Sequence, residues 1–327
     1  MRTHALACAL AVLTAAAGYP QKDEWLLRMN EGTVASLAGD YYKATASYRD
    51  AARVAESFDR GDRRRIFAWN SLATMYDALG RFADAEAAYY RALRAAEQAG
   101  GKSCSDYGLV LGNLASFFVE LGQNARGEKM MREALAIHLA ADHRDVRRIA
   151  LAQNCLAEIC SVSHKYDEAE RLLTAALALL EETNPKDLAE TALALNNLGV
   201  VRFSQGNFVE SRRLLRQALT IMEKNLGTDH PMVVRVLNNL AGLAIRMGDR
   251  DEAGEDYRRA IDIAQRRLGT EHPFYGILLA SYAGYLKQGG EKSRAKALRA
   301  QSDQILRNSA LRNGIGAVVD VNALQRK

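Results

Sequence analysis

Leu72, Leu114, Leu156, Leu198 and Leu240 stand 42 residues apart, and the next step lands on Tyr282. Eight positions after each come Gly80, Gly122, His164, Gly206, Gly248 and Gly290. Thirteen after come Ala85, Gly127, Ala169, Ser211, Ala253 and Ala295, and twenty after come Ala92, Ala134, Ala176, Ala218, Ala260 and Ser302. The register runs through these six units without a gap. An earlier unit joins with a one-residue offset through Gly39, Ala44, Tyr48 and Ala51. A chain of 327 residues with 48% apolar content and 4 prolines would otherwise suggest about two ordinary domains. A fixed period of this length overrides that expectation and predicts a stacked repeat array.

The period is helical in its fine structure. Trp69, Leu72, Ala73 and Tyr76 fall at i, i+3, i+4 and i+7, which is one apolar stripe on a helix. Gly80 ends that helix, because glycine accepts the left-handed conformation that stops one. The run from Arg81 to Leu93 restarts it with Ala85, Tyr89 and Ala92 on one face. A small residue at the Ala85 position lets the two helices approach closely. Neither helix can bury its stripe alone, so neighbouring hairpins must stack. The predicted fold is all-α, a right-handed superhelical solenoid of about seven helix-turn-helix hairpins. Their expected spans are about 25–58, 66–99, 108–141, 150–183, 192–225, 234–267 and 276–307.

Leu72, Ala73, Tyr76, Gly80, Ala85, Tyr89 and Ala92 occupy signature positions of a known family, and the chain resembles the tetratricopeptide repeat proteins over about residues 25–307. The usual repeat of that family is about 34 residues. The longer period, the "NNLA" first helix at Asn238 and the connections "LGTDHP" and "LGTEHP" are similar to the kinesin-light-chain subfamily. Unit four departs from the pattern, with Cys155 in place of the second asparagine and His164 in place of the glycine. No long heptad run is present to join a motor.

Residues 1–17 read as a cleaved signal peptide: a basic start at Arg2, the apolar run Ala5 to Ala17, and small residues before Gly18. The run is too short to span a bilayer. The expected location is therefore periplasmic or extracellular, the alternative being cytoplasmic with an uncleaved first helix. Residues 308–327 form a tail beyond the repeats, including the β-prone run Val318 to Val321. A net charge of +5 favours acidic partners without requiring nucleic acid. The arginine clusters at 63–65, 212–213 and 258–259 read as solvated faces.

There is no P-loop, no nucleophile elbow and no singled-out carboxylate pair, so no catalytic residue, metal or cofactor is expected. His230-Pro231 and His272-Pro273 read as helix starts, with Asp229 or His230 capping the first and Glu271 or His272 the second. His138 and His143, beside Asp142 and Asp145, lack the i, i+4 spacing of a helical metal pair. Cys155 and Cys160 read as buried thiols, and Cys104, in a polar connection, as a candidate reactive one.

Asparagine is the remaining signal. Just before the periodic leucine stand Ser71, Asn113, Cys155, Asn197, Asn239 and Ser281; one position earlier stand Asn70, Gly112, Asn154, Asn196, Asn238 and Ala280. Asparagine is a mediocre helix former, so its repeated mid-helix use needs an offsetting role. Its amide donates and accepts, and a row of amides holds an extended backbone without reading side chains. In the resembled family groove asparagines do this. The expected binding groove comprises Asn70, Asn113, Asn154, Asn196, Asn197, Arg235, Asn238, Asn239, Arg246 and Lys287. The alternative role for the amides is bridging adjacent repeats. Positions Phe67, Thr74, Asp77 and Ala78 in unit two, and Arg235, Gly242, Ile245 and Arg246 in unit six, are expected to face the same groove. The functional expectation is a non-catalytic scaffold for a partner protein or peptide, acidic in character. The rival readings are a structural spacer in an envelope assembly and an enzyme with an unrecognised site.

Overall fold

The computed structural model describes residues 20–141, 145–182 and 189–312. The expected signal peptide, His143 with Asp142, and the Val318 to Val321 run lie outside the described residues. Fourteen helices and no strand occur among the described residues. Two compact units divide after Ala194.

In the first unit α1 (Pro20–Leu37) pairs with α2 (Tyr41–Ala55), α3 (Arg63–Ala78) with α4 (Phe82–Gly100), α5 (Ser105–Glu120) with α6 (Asn124–Ala140), and α7 (Val146–Val162) with α8 (Tyr166–Glu182). Each hairpin also packs on the next, α2 on α3, α4 on α5 and α6 on α7. The second unit takes most of α9 (Ala189–Ser204), then α10 (Phe208–Leu226), α11 (Pro231–Met247), α12 (Arg250–Arg267), α13 (Pro273–Gln288) and α14 (Lys292–Arg312). There α11 pairs with α12 and α13 with α14, while α10 packs on α11 and α12 on α13.

The periodic positions account for this arrangement. Leu72, Leu114, Leu156 and Leu240 are at most 2% exposed, so each leucine side chain stabilises the array by about 1.5–3 kcal/mol. The small residue thirteen positions on is the contact point inside each hairpin. Ala85, Ala169, Ser211 and Ala253 are fully buried. At Gly127 even a methyl is too large, because a Cβ would lie 2.4 Å from Val119 Cγ2 and 2.8 Å from the Ala115 carbonyl oxygen. Ser211 uses the same proximity to donate from Oγ to the Gly199 carbonyl at 2.7 Å. Aromatic rings join successive hairpins: Tyr89 of α4 meets Phe117 of α5 with centroids 5.7 Å apart, and Tyr257 of α12 meets Tyr282 of α13 at 5.8 Å.

The connections follow from the backbone. Gly80, Gly122, Gly206, Gly248 and Gly290 all have φ between 69° and 89°. The residue after each donates back to the last turn of the helix, as Arg81 does to the Tyr76 carbonyl at 2.8 Å and Gln123 to Phe118 at 2.8 Å. His164 occupies the same place with φ 60°, the one positive-φ non-glycine among the described residues. Lys165 still bonds back to Cys160 at 2.8 Å, so the turn is kept against the preference of the side chain. His230 and His272 cap α11 and α13: each side chain accepts from the backbone N–H two residues on, and each is followed by a proline in the first turn. These histidines are buried helix starts, as the punctuation reading expects.

Relief of the left-handed side chain is a direct test. A non-glycine residue at such φ costs roughly 1–2 kcal/mol, partly offset by the greater unfolded-state freedom of glycine. His164→Gly is expected to stabilise the chain by about 0.5–1 kcal/mol, read as a raised denaturation midpoint with unchanged slope.

Candidate functional site

The asparagine row on the first helices is a hydrogen-bonded ladder. Asn113 Nδ2 donates to Asn70 Oδ1 at 3.0 Å, and Asn239 Nδ2 donates to Asn196 Oδ1 at 2.9 Å. The rule is the same in both units: the amide just before the leucine donates to the amide one position earlier in the preceding repeat, 43 residues away. Asn196 Nδ2 also donates to Asn197 Oδ1 at 3.0 Å, and Arg235 Nη2 donates to that same oxygen at 3.4 Å. Arg235 is thereby positioned by a chain of three amides.

This bonding sorts the ten expected groove residues. Asn70, Asn113, Asn154, Asn196 and Asn197 are buried. Arg235, Asn238 and Asn239 are half-buried, and Arg246 and Lys287 are exposed. The Asn238 amide makes no hydrogen bond among the described residues, and its Oδ1 is sealed from solvent. Asn239 Oδ1 and Asn113 Oδ1 likewise accept nothing among the described residues. Of the further positions expected to face a groove, Phe67, Thr74, Asp77 and Ala78 are instead buried. The Arg63 guanidinium lies 5.4 Å from the Phe67 ring, and Thr74 bonds back to the Ser71 carbonyl at 2.8 Å. Gly242 and Ile245 remain half-buried.

The arginine clusters are partly solvated as expected, with Arg63, Arg213 and Arg258 exposed and Arg64, Arg65, Arg212 and Arg259 half-buried, and carboxylates hold many of them, several from the neighbouring repeat. Arg63 binds Asp106 through Nε at 2.5 Å and Nη2 at 2.9 Å, and Arg148 binds the same carboxylate at 3.1 Å. Arg147 pairs with the buried Glu190 at 2.6 Å. Arg64 pairs with Asp62, Arg65 with Glu56, Arg212 with Asp249 and Glu252, and Arg259 with Glu223. Burial pushes the Asp106 carboxyl upward, yet its two arginines hold it below the usual carboxylate range. The spacing of 42–43 residues between opposite charges was the sequence signal for this ladder.

His138 is the buried titratable group beside it, 4% exposed, with Nδ1 3.4 Å from Ser105 Oγ. Burial and then the Arg148 charge push its imidazole down to about 4. Asp145 caps α7 by accepting from the Arg148 N–H. No group of three or more metal-ligating side chains occurs among the described residues. Cys104 caps α5: its sulfur accepts from the Tyr107 N–H at 3.3 Å, so the thiol has a structural role in the connection.

Two outcomes test the ladder and its neighbour. Asn70→Ala leaves the buried Asn113 amide without its acceptor and is expected to cost about 1–3 kcal/mol in chemical denaturation, whereas Asn238→Ala, which breaks no bond, is expected to cost under about 0.5 kcal/mol. For His138 the folded form is neutral while the unfolded chain takes a proton at the ordinary value of 6.5. The stability it contributes is therefore complete above that pH and is lost as pH falls toward about 4, with a slope up to about 1.4 kcal/mol per pH unit. His138→Gln is expected to flatten that part of the stability–pH curve.

With this geometry in hand, comparison with known proteins is direct. The tetratricopeptide repeat model matches residues 25–98, 148–224, 190–253 and 232–302. Curated protein sequences show no significant match. Among solved structures, a Rap protein complexed with competence and sporulation factor is similar at 14% identity and TM-score 0.65, covering 93% of this chain and 90% of that one. BtubC (BKLC) from P. vanneervenii is similar at 20% identity and TM-score 0.52, covering 70% and 91%. Repeats described as those of a kinesin light chain from Podospora anserina are similar at 21% identity and TM-score 0.46, covering 62% and 95%. At these identities the structural likeness speaks for the fold. The repeat model covers most of the chain, and its hairpins carry the buried periodic leucines and glycine turns; the chain belongs to the tetratricopeptide repeat family.

Proposed function

We propose that this chain is a non-catalytic scaffold that binds an extended segment of a partner protein along its first-helix row. The observation that carries this reading is the unused acceptor of Asn239, half-buried on the same helix as the hydrogen-bonded Arg235. An amide oxygen with a free lone pair can accept from a backbone N–H of a ligand. Asn113 adds a further acceptor in the first unit. Within the first unit Asn70 supports Asn113, with Asn154 on the same row, and within the second unit Asn196 and Asn197 support Asn239 and Arg235. Arg235, Arg246 and Lys287 favour a segment with carboxylates. The Rap protein supports the reading by analogy of fold, since it is complexed with a factor.

The proposed place of action is outside the cytoplasm, after loss of residues 1–17; the tail expected from residue 308 begins instead after α14, which runs on to Arg312. Among the described residues no helix is long and apolar enough to cross a membrane. A second reading, a structural spacer in a larger assembly, is favoured by the burial of five of the ladder amides.

Affinity capture from an envelope extract separates the two. The bait is the chain from Gly18, compared with an Asn239→Ala, Arg246→Glu, Lys287→Glu variant of matched helicity. The scaffold reading expects a protein retained by the first and reduced on the order of tenfold or more with the second. Equal retention by both places recognition elsewhere and favours the spacer.

A further inference from the structure

We infer that the junction of the third and fourth repeats carries a side-chain pocket that takes a serine or threonine of the bound segment. The inference rests on the peptide-binding reading above and deepens it.

The ladder rule pairs the position before one leucine with the position two before the preceding leucine. At this junction the rule would pair Cys155 with Gly112, and neither carries an amide. A half-open cavity of about 20 Å³ lies there, lined by Gly108, Gly112, Asn113, Met131, His138 and Cys155 among others. That space holds one or two water molecules or a side chain of two or three heavy atoms.

The glycine is not demanded by packing. A Cβ at Gly112 would meet Ala134 Cβ at 3.7 Å and Met131 Sδ at 3.8 Å, ordinary contacts. Glycine in a helix interior is unfavourable relative to alanine, so the open volume has an offsetting use. Gly108 is different, because a Cβ there would stand 3.0 Å from His138 Cε1. Its absence lets the imidazole reach the cavity.

The polar groups define the ligand. His138 is 4% exposed, and its Nε2 bonds nothing among the described residues. Asn113 uses Nδ2 on Asn70, and its Oδ1 accepts nothing among the described residues. Arg148, which also lines the cavity, is balanced by Asp106 at 3.1 Å and Asp145 at 3.2 Å. The pocket thus has no uncompensated charge, and a charged side chain would be desolvated there without a counterion. A hydroxyl can bond the imidazole nitrogen or the amide oxygen, and a Cβ or γ-methyl fits against Met131 and the neighbouring aliphatic side chains.

The test uses the full chain and two variants. Gly112→Asn with Cys155→Asn restores the ladder and fills the cavity, and Gly112→Ala narrows it through contacts already shown to be tolerated. The first probe is N-acetyl-threonine N-methylamide, followed by the ¹⁵N signals of His138, with N-acetyl-lysine N-methylamide as the comparison. A shift with the threonine amide alone, weakened on the order of tenfold in the variants, is the expected result. No shift, or an equal shift in the ladder-restored chain, overturns the pocket. The second probe is a displayed library of random peptides. Binders that carry serine or threonine at one position with the wild-type chain, and lose that preference with the variants, support the pocket in its proposed role. Binders with no such preference overturn it. Absence of any binder alongside a retained His138 shift supports the pocket and overturns the peptide reading.

Discussion

The approach of each first helix to the second helix that follows it is the contact on which the array depends. It requires a left-handed residue to reverse the chain and a small residue where the helices meet. Gly127 shows how tight the second requirement is, since a Cβ there would lie 2.4 Å from Val119 Cγ2 and 2.8 Å from a carbonyl oxygen of the facing helix. Once a hairpin closes, its leucine and aromatic stripes point outward from the pair and must be covered by the next hairpin. Tyr89 against Phe117, and Tyr257 against Tyr282, are that cover. The stacking that sets first helices side by side within each unit is a consequence of hairpins too thin to bury their own surface.

Polar groups at the same period then have only two fates. A side chain repeated every 42 or 43 residues meets its own counterpart from the next repeat, so it must match that counterpart or reach past it. Amides match themselves, because each can donate and accept, and the pairs Asn113–Asn70 and Asn239–Asn196 use this. Charges cannot match themselves, and the positions around Arg63, Asp106, Arg148 and Glu190 change sign from repeat to repeat. The same geometry that makes asparagine suited to a ligand backbone makes it suited to its neighbour. On the proposed reading, binding capacity lies where the ladder leaves an amide oxygen unused, at Asn239, or is interrupted, at Gly112 and Cys155.

Much of this was legible in the sequence and some was not, and the division has a physical basis. Period, helical stripes, glycine turns and proline helix starts are local or strictly repeated, and they specify hairpins, their number and their family resemblance without further information. The departures at His164 and Cys155 were visible too, though their meaning was not. His164 proved to keep the turn of its glycine counterparts, and Cys155 to stand at a gap in the ladder. Burial at Phe67, Thr74, Asp77 and Ala78 went against a groove-facing expectation drawn from spacing alone. Spacing places a residue on a helix face. It does not say whether a side chain from elsewhere covers that face.

What the sequence determined by itself is the all-helical repeat and the row of first-helix positions on which amides recur, because periodicity is a property of order along the chain. Which amides bond one another, which carboxylate holds which arginine, and where a missing Cβ opens a cavity were decided by tertiary structure. Those outcomes depend on distances between side chains about 42 residues apart, set only when hairpins pack.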